Sequence, residues 1–330
     1  MRAFVTGATG FVGTNLIQEL DKAGWEIIAL CRPTSDLSEL KKCKKVIYAP
    51  GDIMDIESLR RGMPPGVDAV FHVAGSVGPV GHGKESSRYD INQTGTRNVV
   101  TVALEKKIGR FIHTSTVLTY DFESKKSFDE TAPPVKPSTD AYIGSKRLAD
   151  VEVEAGVKAG LDAVFIHPSA IFGAYDKVTW SKMFMEIERG LPLPFAPPGG
   201  GSVCHCRKVA AAHISAFHKG TRGGHYILGG PDENWLNVAI QVAKILKRPA
   251  PKWRLPTPLF MLYAYVEYWV SRMLGRAPTL DPHSAYTVCI NVFSDSSRAI
   301  RELGYQPSTL DEMLQDCYQW MVATGMIKRP

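Results

Sequence analysis

Apolar residues in the first half of the chain fall in short, dense runs separated by amphipathic stretches. The runs are Ala3 to Thr6, Ile27 to Cys31, Val46 to Ala49, Val67 to Val73, Phe111 to Thr114 and Ala163 to His167. Rich in Val, Ile and Phe, they read as strands buried on both faces. Helical patterns fill the intervals at 11–23, 55–62, 90–107 and 139–158. Alternation of this kind predicts an α/β fold, a doubly wound parallel sheet with helices on both faces and right-handed crossovers. Beyond residue 175 the pattern loosens into Pro- and Gly-rich segments such as Leu191 to Gly201, then helices near 206–219, 235–247, 257–274 and 309–323. We therefore expect residues 1–175, with parts of 203–230 returning to them, to form one domain. Residues 176–330 form a smaller, mostly helical region that binds substrate.

With 330 residues, 44% hydrophobic and 22% charged, the chain can bury a real core, which excludes a disordered or fibrous protein. A surplus of 39 Lys+Arg over 33 Asp+Glu, +6 net, is mild. The Lys41-Lys42-Cys43-Lys44-Lys45 run reads as solvated surface, so no nucleic-acid partner is predicted. Six cysteines, and an N-terminus that begins directly on a strand-like run without an export leader, suit a reducing compartment. The expected location is the cytoplasm, with no membrane span.

Chemistry first enters at Gly7-Ala8-Thr9-Gly10-Phe11-Val12-Gly13, between the first strand and a helix whose Leu16, Ile17 and Leu20 share one face. Glycines there let the backbone turn tightly and approach a pyrophosphate, which the free N–H groups of the helix start attract. The spacing is G-x-x-G-x-x-G, and its position makes it a dinucleotide-binding turn of Rossmann type. At the end of strand two, an acidic residue would bond the 2′-OH of NAD. Cys31 stands there, followed by Arg32, whose guanidinium can pair with a 2′-phosphate; NADP(H) is therefore preferred, with NAD(H) as the alternative. Asp52 and Ile53, after strand three, are placed to meet the adenine, although an Asp there could equally cap the next helix.

Tyr142-Ile143-Gly144-Ser145-Lys146 sets a phenol and an ammonium on one helix face. A nearby Lys⁺ favours the phenolate and should draw the phenol toward neutral pH. With Phe71-His72-Val73-Ala74-Gly75, Asn92-x-x-Gly95-Thr96-x-Asn98, Phe128-Asp129-Glu130-Thr131 and Leu303-Gly304-Tyr305-Gln306-Pro307, the chain resembles the extended short-chain dehydrogenase/reductase (epimerase/dehydratase) superfamily almost throughout. Arg32-Pro33-Thr34-Ser35 is similar to its dihydroflavonol-4-reductase-like, 3β-hydroxysteroid-dehydrogenase-like and hopanoid-associated groups.

That resemblance implies a Ser/Thr, Tyr, Lys triad: Thr116 in His113-Thr114-Ser115-Thr116, with Ser115 as the fallback, then Tyr142 and Lys146. It implies that Tyr142 protonates a substrate oxygen held by Thr116, and that Lys146 tunes Tyr142 and bonds the nicotinamide ribose. Val73, Ala74, Gly75, Asn92, Thr114, Pro168 and Ser169 join the implied cofactor contacts, with His167-Pro168-Ser169 beside the nicotinamide amide. Two departures stand out. Arg207 and Lys208 occupy positions that are usually acidic, and His113 replaces a usual aromatic, which reads as a packing change. Cys204-His205-Cys206 lacks a second ligand cluster, so no metal is predicted. His82, in the loop after strand four, reads as a solvent-exposed residue or as a lining of the site.

The apolar stretch from Pro256 to Val270 reads as a buried core helix or, with Trp180, Met183, Phe184 and Phe195, as the wall of an apolar pocket. The leading expectation is an NADP(H)-dependent reductase of an apolar ketone, or a dehydrogenase of the matching alcohol, with a homodimer allowed for. Its rivals are a nucleotide-sugar epimerase or dehydratase with tightly held NAD, and a non-catalytic dinucleotide-sensing module.

Overall fold

The computed structural model describes residues 1–76, 90–124, 126–137, 140–177, 179–190, 195–276, 278 and 282–328. Strands β1 (Arg2–Thr6), β2 (Glu26–Cys31), β3 (Val46–Pro50), β4 (Ala69–His72), β5 (Arg110–Thr114) and β6 (Ala163–Pro168) alternate with helices α1 (Phe11–Lys22), α2 (Ile56–Gly62), α3 (Gly95–Glu105) and α4 (Ala141–Lys158). Next come β7 (Ala170–Phe172), α5 (Ser181–Glu188), β8 (Phe195–Ala196), β9 (Gly200–His205), α6 (Cys206–Lys219) and β10 (His225–Leu228). The seven-stranded sheet runs β10-β6-β5-β4-β1-β2-β3, every pair parallel. It is a Rossmann-type α/β fold.

The period-2 rule sorts its core. Ala3 and Val5 join Ile112, Val164 and Ile166 under α1 and α6, while Phe4, Val70, Phe111 and Phe165 face α2, α3 and α4. Edge strand β3 departs from the buried reading, because Ile47 and Tyr48 are exposed where the sheet has no further strand among the described residues. Beyond β10 the chain continues through β11 (Asp232–Asn234), α7 (Trp235–Ile245), β12 (Trp253–Arg254), α8 (Thr257–Met273), α9 (Pro282–Cys289), β13 (Asn291–Val292), α10 (Ser297–Leu303) and α11 (Leu310–Ala323). Gly304 ends α10 in the left-handed region (φ 70°), and the following Tyr305 donates to the Gly229 carbonyl at 2.8 Å, tying the C-terminal segment to the end of β10.

A row of rings crosses the sheet on the α4 side. His72, His113, Phe165 and His225 are successive register partners on β4, β5, β6 and β10. His72 stacks on His113 at 5.6 Å, and Phe165 on His225 at 4.1 Å. His113 is therefore more than a packing change, since its Nε2 donates to Asp150 Oδ1 of α4 at 3.0 Å. Ser115 donates to the other oxygen, Oδ2, at 2.9 Å. Despite burial, the hydrogen bond from His113, with His167 and Lys146 close by, holds the Asp150 carboxyl well below its ordinary range.

Removing that carboxylate leaves two buried donors without partners. We expect Asp150→Ala to lower the unfolding free energy by about 2–4 kcal/mol, read from the urea midpoint. The folded state's depressed carboxyl makes this contribution fully present above the ordinary pKa of 3.8 and lost as pH falls below it. The gap between wild type and variant should therefore narrow in acid; a constant gap would mean that the carboxylate's charge is not what stabilises.

Candidate active site

The glycine turn lies where β1 meets α1. Gly7 adopts φ 71°, and a Cβ there would sit 2.6 Å from the Ala74 amide nitrogen. A Cβ on Gly13 would come 2.0 Å from the Gly7 carbonyl oxygen. The helix start is thus held against the strand ends in a way only glycine permits, and its first amides have no intrahelical acceptor. A cradle of this shape and donor chemistry fits a dinucleotide pyrophosphate. Thr9, Gly10, Phe11 and Val12 lie along the same turn, with the Gly10 amide bonded to Gly7 O at 3.0 Å.

Cys31 is buried and Arg32 is exposed at the end of β2, with no ion-pair partner among the described residues. Asp52 does not cap α2; Asp55 does, accepting from Glu57 and Ser58. Instead the Asp52 carboxylate takes the Met54 amide at 3.0 Å, and Ile53 packs against Gly95.

The ends of β1 and β4 are joined by buried hydrogen bonds. The Thr6 hydroxyl lies 2.8 Å from His72 Nδ1, and the Thr96 hydroxyl lies 2.9 Å from His72 Nε2. Because Thr96 donates to the Asn92 carbonyl (2.6 Å), it accepts from Nε2–H, which leaves Nδ1 to accept from Thr6. Burial holds this imidazole's pKa well below 6.5. Asn92 lies in a π turn at Asp90–Thr94, and its side chain is fully engaged: Oδ1 accepts the Ser76 amide (2.7 Å), and Nδ2 donates to Ser76 O (3.2 Å) and Ser145 Oγ (2.9 Å). Asn92 therefore pins the Val73-Ala74-Gly75 segment to α4. Residues 77–89, His82 among them, lie outside the described residues.

Helix α4 starts at Asp140, whose carboxylate accepts from Tyr142 N (2.8 Å) and Ile143 N (2.9 Å). Tyr142, Lys146 and Asp150 then follow at four-residue steps on one face. Lys146 Nζ donates to Thr114 O at 2.6 Å, and the Thr116 hydroxyl is within hydrogen-bonding reach of the Tyr142 phenol. Ser115, turned to Asp150, is drawn away from that group. The Thr114 side chain points to the other face of the sheet, to His213 Nε2 at 2.8 Å.

Contrary to the expectation that Lys146 draws the phenol toward neutrality, burial pushes Tyr142 up to about 12. Lys146 is itself brought down to about 8 by burial. Its ammonium is committed to the Thr114 carbonyl, and desolvation dominates the phenol's shift over the lowering effect of the Thr116 hydrogen bond.

Past β6, Ser169 donates through its amide and hydroxyl to Leu228 O. His167, expected beside the nicotinamide, turns inward instead, to Thr116 O (3.2 Å) and His225 Nδ1 (2.9 Å).

The expected pocket wall does not form as one surface. Phe184 is buried in a core with Phe172 and Val238, and Trp180 stacks on Phe172 and lies tilted against Trp235, both at 4.6 Å. Phe195 packs separately, against Tyr263 of α8 at 5.9 Å.

Sequence spacing also missed one cluster. His205, Cys206 and Asp316 bring ligand-type atoms within 4.8 Å of one another. Asp316 already takes Arg207 Nη2 (2.7 Å) and the Ala174 amide (2.9 Å), His205 Nδ1 takes the Arg207 amide (3.1 Å), and burial pushes the Cys206 thiol up. These groups partner one another. All six cysteines are free thiols.

Comparison with known proteins identifies the family. Residues 3–229 match the model of the NAD dependent epimerase/dehydratase family. The chain is 30% identical to a Synechocystis protein named "Putative dihydroflavonol 4-reductase", over 98% of this chain and 96% of that one. It is 28% identical to sterol demethylase protein B of Methylococcus capsulatus (99% and 100%) and 25% identical to a 3-beta-hydroxysteroid dehydrogenase of Mycolicibacterium neoaurum (98% and 94%). Among solved structures, gox2253 superposes with a TM-score of 0.83 at 29% identity, covering 99% of both chains. The UDP-glucuronic acid 4-epimerase of Bacillus cereus, in complex with NAD, shares the fold at 0.75 and 17% identity (98% and 96%). A glycine cradle at the end of β1, a Tyr-x-x-x-Lys helix over β5 and a family match across both place the chain plainly: it belongs to the NAD dependent epimerase/dehydratase family, as an NAD(P)-dependent enzyme of the extended short-chain dehydrogenase/reductase type.

Proposed function

We propose that this enzyme reduces the ketone of an apolar substrate with NADPH, or oxidises the matching secondary alcohol, through Thr116, Tyr142 and Lys146. The observation that carries the reading is Tyr142, a phenol with a pKa near 12, hence protonated at neutral pH, within reach of the Thr116 hydroxyl. A protonated phenol is an acid, which is what a carbonyl oxygen needs as it becomes an alkoxide. Bound cofactor supplies the hydride. Thr116 orients the substrate oxygen and Tyr142 gives it a proton. The Lys146 ammonium, below about pH 8, favours negative charge developing there.

Arg32, with no carboxylate at the end of β2, supports NADP(H) over NAD(H). Relatives named for steroids and dihydroflavonols support an apolar substrate. A nucleotide-sugar would need cations for its diphosphate, and Arg207, one of the two candidates, is already bonded to Asp316. Six free thiols support a reducing, cytoplasmic setting.

The decisive experiment supplies NADPH with ketones of increasing apolar size. Turnover is expected with wild type, and Tyr142→Phe should cut kcat by about 10²–10⁴ while leaving cofactor affinity unchanged. Thr116→Ala should lose far more activity than Ser115→Ala, whose hydroxyl serves Asp150. Tightly bound NAD⁺ that survives gel filtration, with nucleotide-sugar conversion lacking net redox change, would overturn the reading in favour of an epimerase.

Cofactor choice is tested by titration. NADPH should bind at least about tenfold tighter than NADH, the equivalent of ~1.4 kcal/mol. Arg32→Ala should erase that ratio, and an unchanged ratio would remove Arg32 from cofactor selection.

The pH profile follows from the two shifts. Tyr142 keeps its proton through the assay range, whereas Lys146 loses its charge as pH rises through about 8. Reductive kcat/KM should therefore be level below pH 8 and fall above it. A profile level to pH 10, near the ordinary lysine value of 10.5, would show that the Lys146 charge does not act.

A further inference from the structure

Helix α8 is neither a buried core helix nor a wall turned into the molecule. Of its seventeen residues only Phe260, Ala264 and Ser271 are buried. Leu259, Leu262, Tyr265, Val266, Trp269, Val270 and Met273 are exposed, Trp269 by 61% and Met273 by 84%. At 100° per residue these seven fill one uninterrupted arc of roughly 140°, centred opposite the buried side. Leu274 (67%) extends it, and exposed Trp253 stands just before the helix. A contiguous apolar surface of this kind is rare on a protein that meets only water.

Charge along this segment is predominantly positive. Between residues 247 and 276 the sequence carries Lys247, Arg248, Lys252, Arg254, Arg272 and Arg276 against a single carboxylate, Glu267. Glu267 lies off the stripe and accepts from Ser271 at 2.8 Å. Among the described residues, none of the six cations forms an ion pair, and all six are exposed. Lys252 and Arg254 stand directly before α8, and Arg272 and Arg276 at its end. Arg272 is further held against Tyr268, its guanidinium 5.7 Å from the ring centre. No helix of the described residues is long and apolar enough to cross a membrane.

We propose that α8 is a membrane-docking helix: it lies flat in the interfacial zone of an anionic bilayer, with the Leu262, Val266, Trp269 and Met273 stripe among the acyl chains. The flanking arginines and lysines bind the anionic headgroups, a complementarity that a second copy of this basic surface would not offer. Trp and Tyr on such a stripe sit where a ring is half wet and half apolar.

The test is co-sedimentation of the full chain with vesicles of phosphatidylcholine alone or mixed with phosphatidylglycerol. Partition into the anionic vesicles is expected to be greater by about tenfold and to weaken with salt. Arg272→Ala with Arg276→Ala should reduce it, and Leu262→Glu with Trp269→Glu should abolish it, with NADPH affinity as the check on folding. Should the charged variant fail to fold, wild type with brominated acyl chains decides: tryptophan fluorescence should be quenched, and Trp269→Phe should lose most of that quenching. No partition, or equal partition into both vesicles, overturns the proposal. So does a concentration-dependent dimer that the Leu262→Glu, Trp269→Glu variant dissolves, which would make the occupant a second copy.

Discussion

The site depends on the register of α4 against β5. Three consecutive residues at the end of β5 each fix a different neighbour: the Thr114 carbonyl takes Lys146, Ser115 bonds Asp150, and Thr116 reaches Tyr142. One turn of slip along α4 would bring Asp150 to the Lys146 position and strand a carboxylate against a carbonyl. Asp150 deep in the interior and Asp140 at the helix start therefore act as two pins on one rigid rod, and Tyr142 is held between them. In the proposed reaction, that rigidity is what positions a proton donor without ordering it anew in each cycle.

A second layer of restraint runs through neutral histidines. His72, His113, His167, His213 and His225 all have pKa values lowered by burial, so their rings act as uncharged donor–acceptor pairs. An imidazole can bond on two sides at once, which a phenylalanine in the same row cannot. His72 uses this to join β1 to the turn carrying Asn92, and through Asn92 to Ser145 of α4. The glycine cradle and the Tyr142 helix, separated by well over a hundred residues, are thereby parts of one hydrogen-bonded body.

Much of this was legible in the sequence, because strand and helix periods are local properties. The six runs, the four helices between them and the glycine turn all follow from spacing. Partners that come from elsewhere in the chain were not legible. The sequence left Ser115 and Thr116 as alternatives, although period 2 sets His113 and Ser115 on one face and Asp150 falls four residues after Lys146. Together those two rules point to the buried bonds that turn Ser115 inward. β3 misled for a simpler reason: Ile47 and Tyr48 look like core, and only the strand order reveals that they lie at an open edge. His205, Cys206 and Asp316 meet across 110 residues, a distance that no spacing rule spans.

The sharpest failure of composition as a guide is α8. A helix apolar on most faces invites two readings, core or pocket, and both assume that the larger side chains turn inward. Here the order is reversed. Two of its three buried positions, Ala264 and Ser271, are small and let the helix lie close on its neighbours, while Leu262, Val266, Trp269 and Met273 project outward. Burial of apolar area drives folding at roughly 25 cal/mol per Å², so an arrangement that leaves the bulky residues outside forgoes stability. A helix selected for the core alone would have its large and small faces exchanged; this one keeps its apolar area for a surface that is not its own.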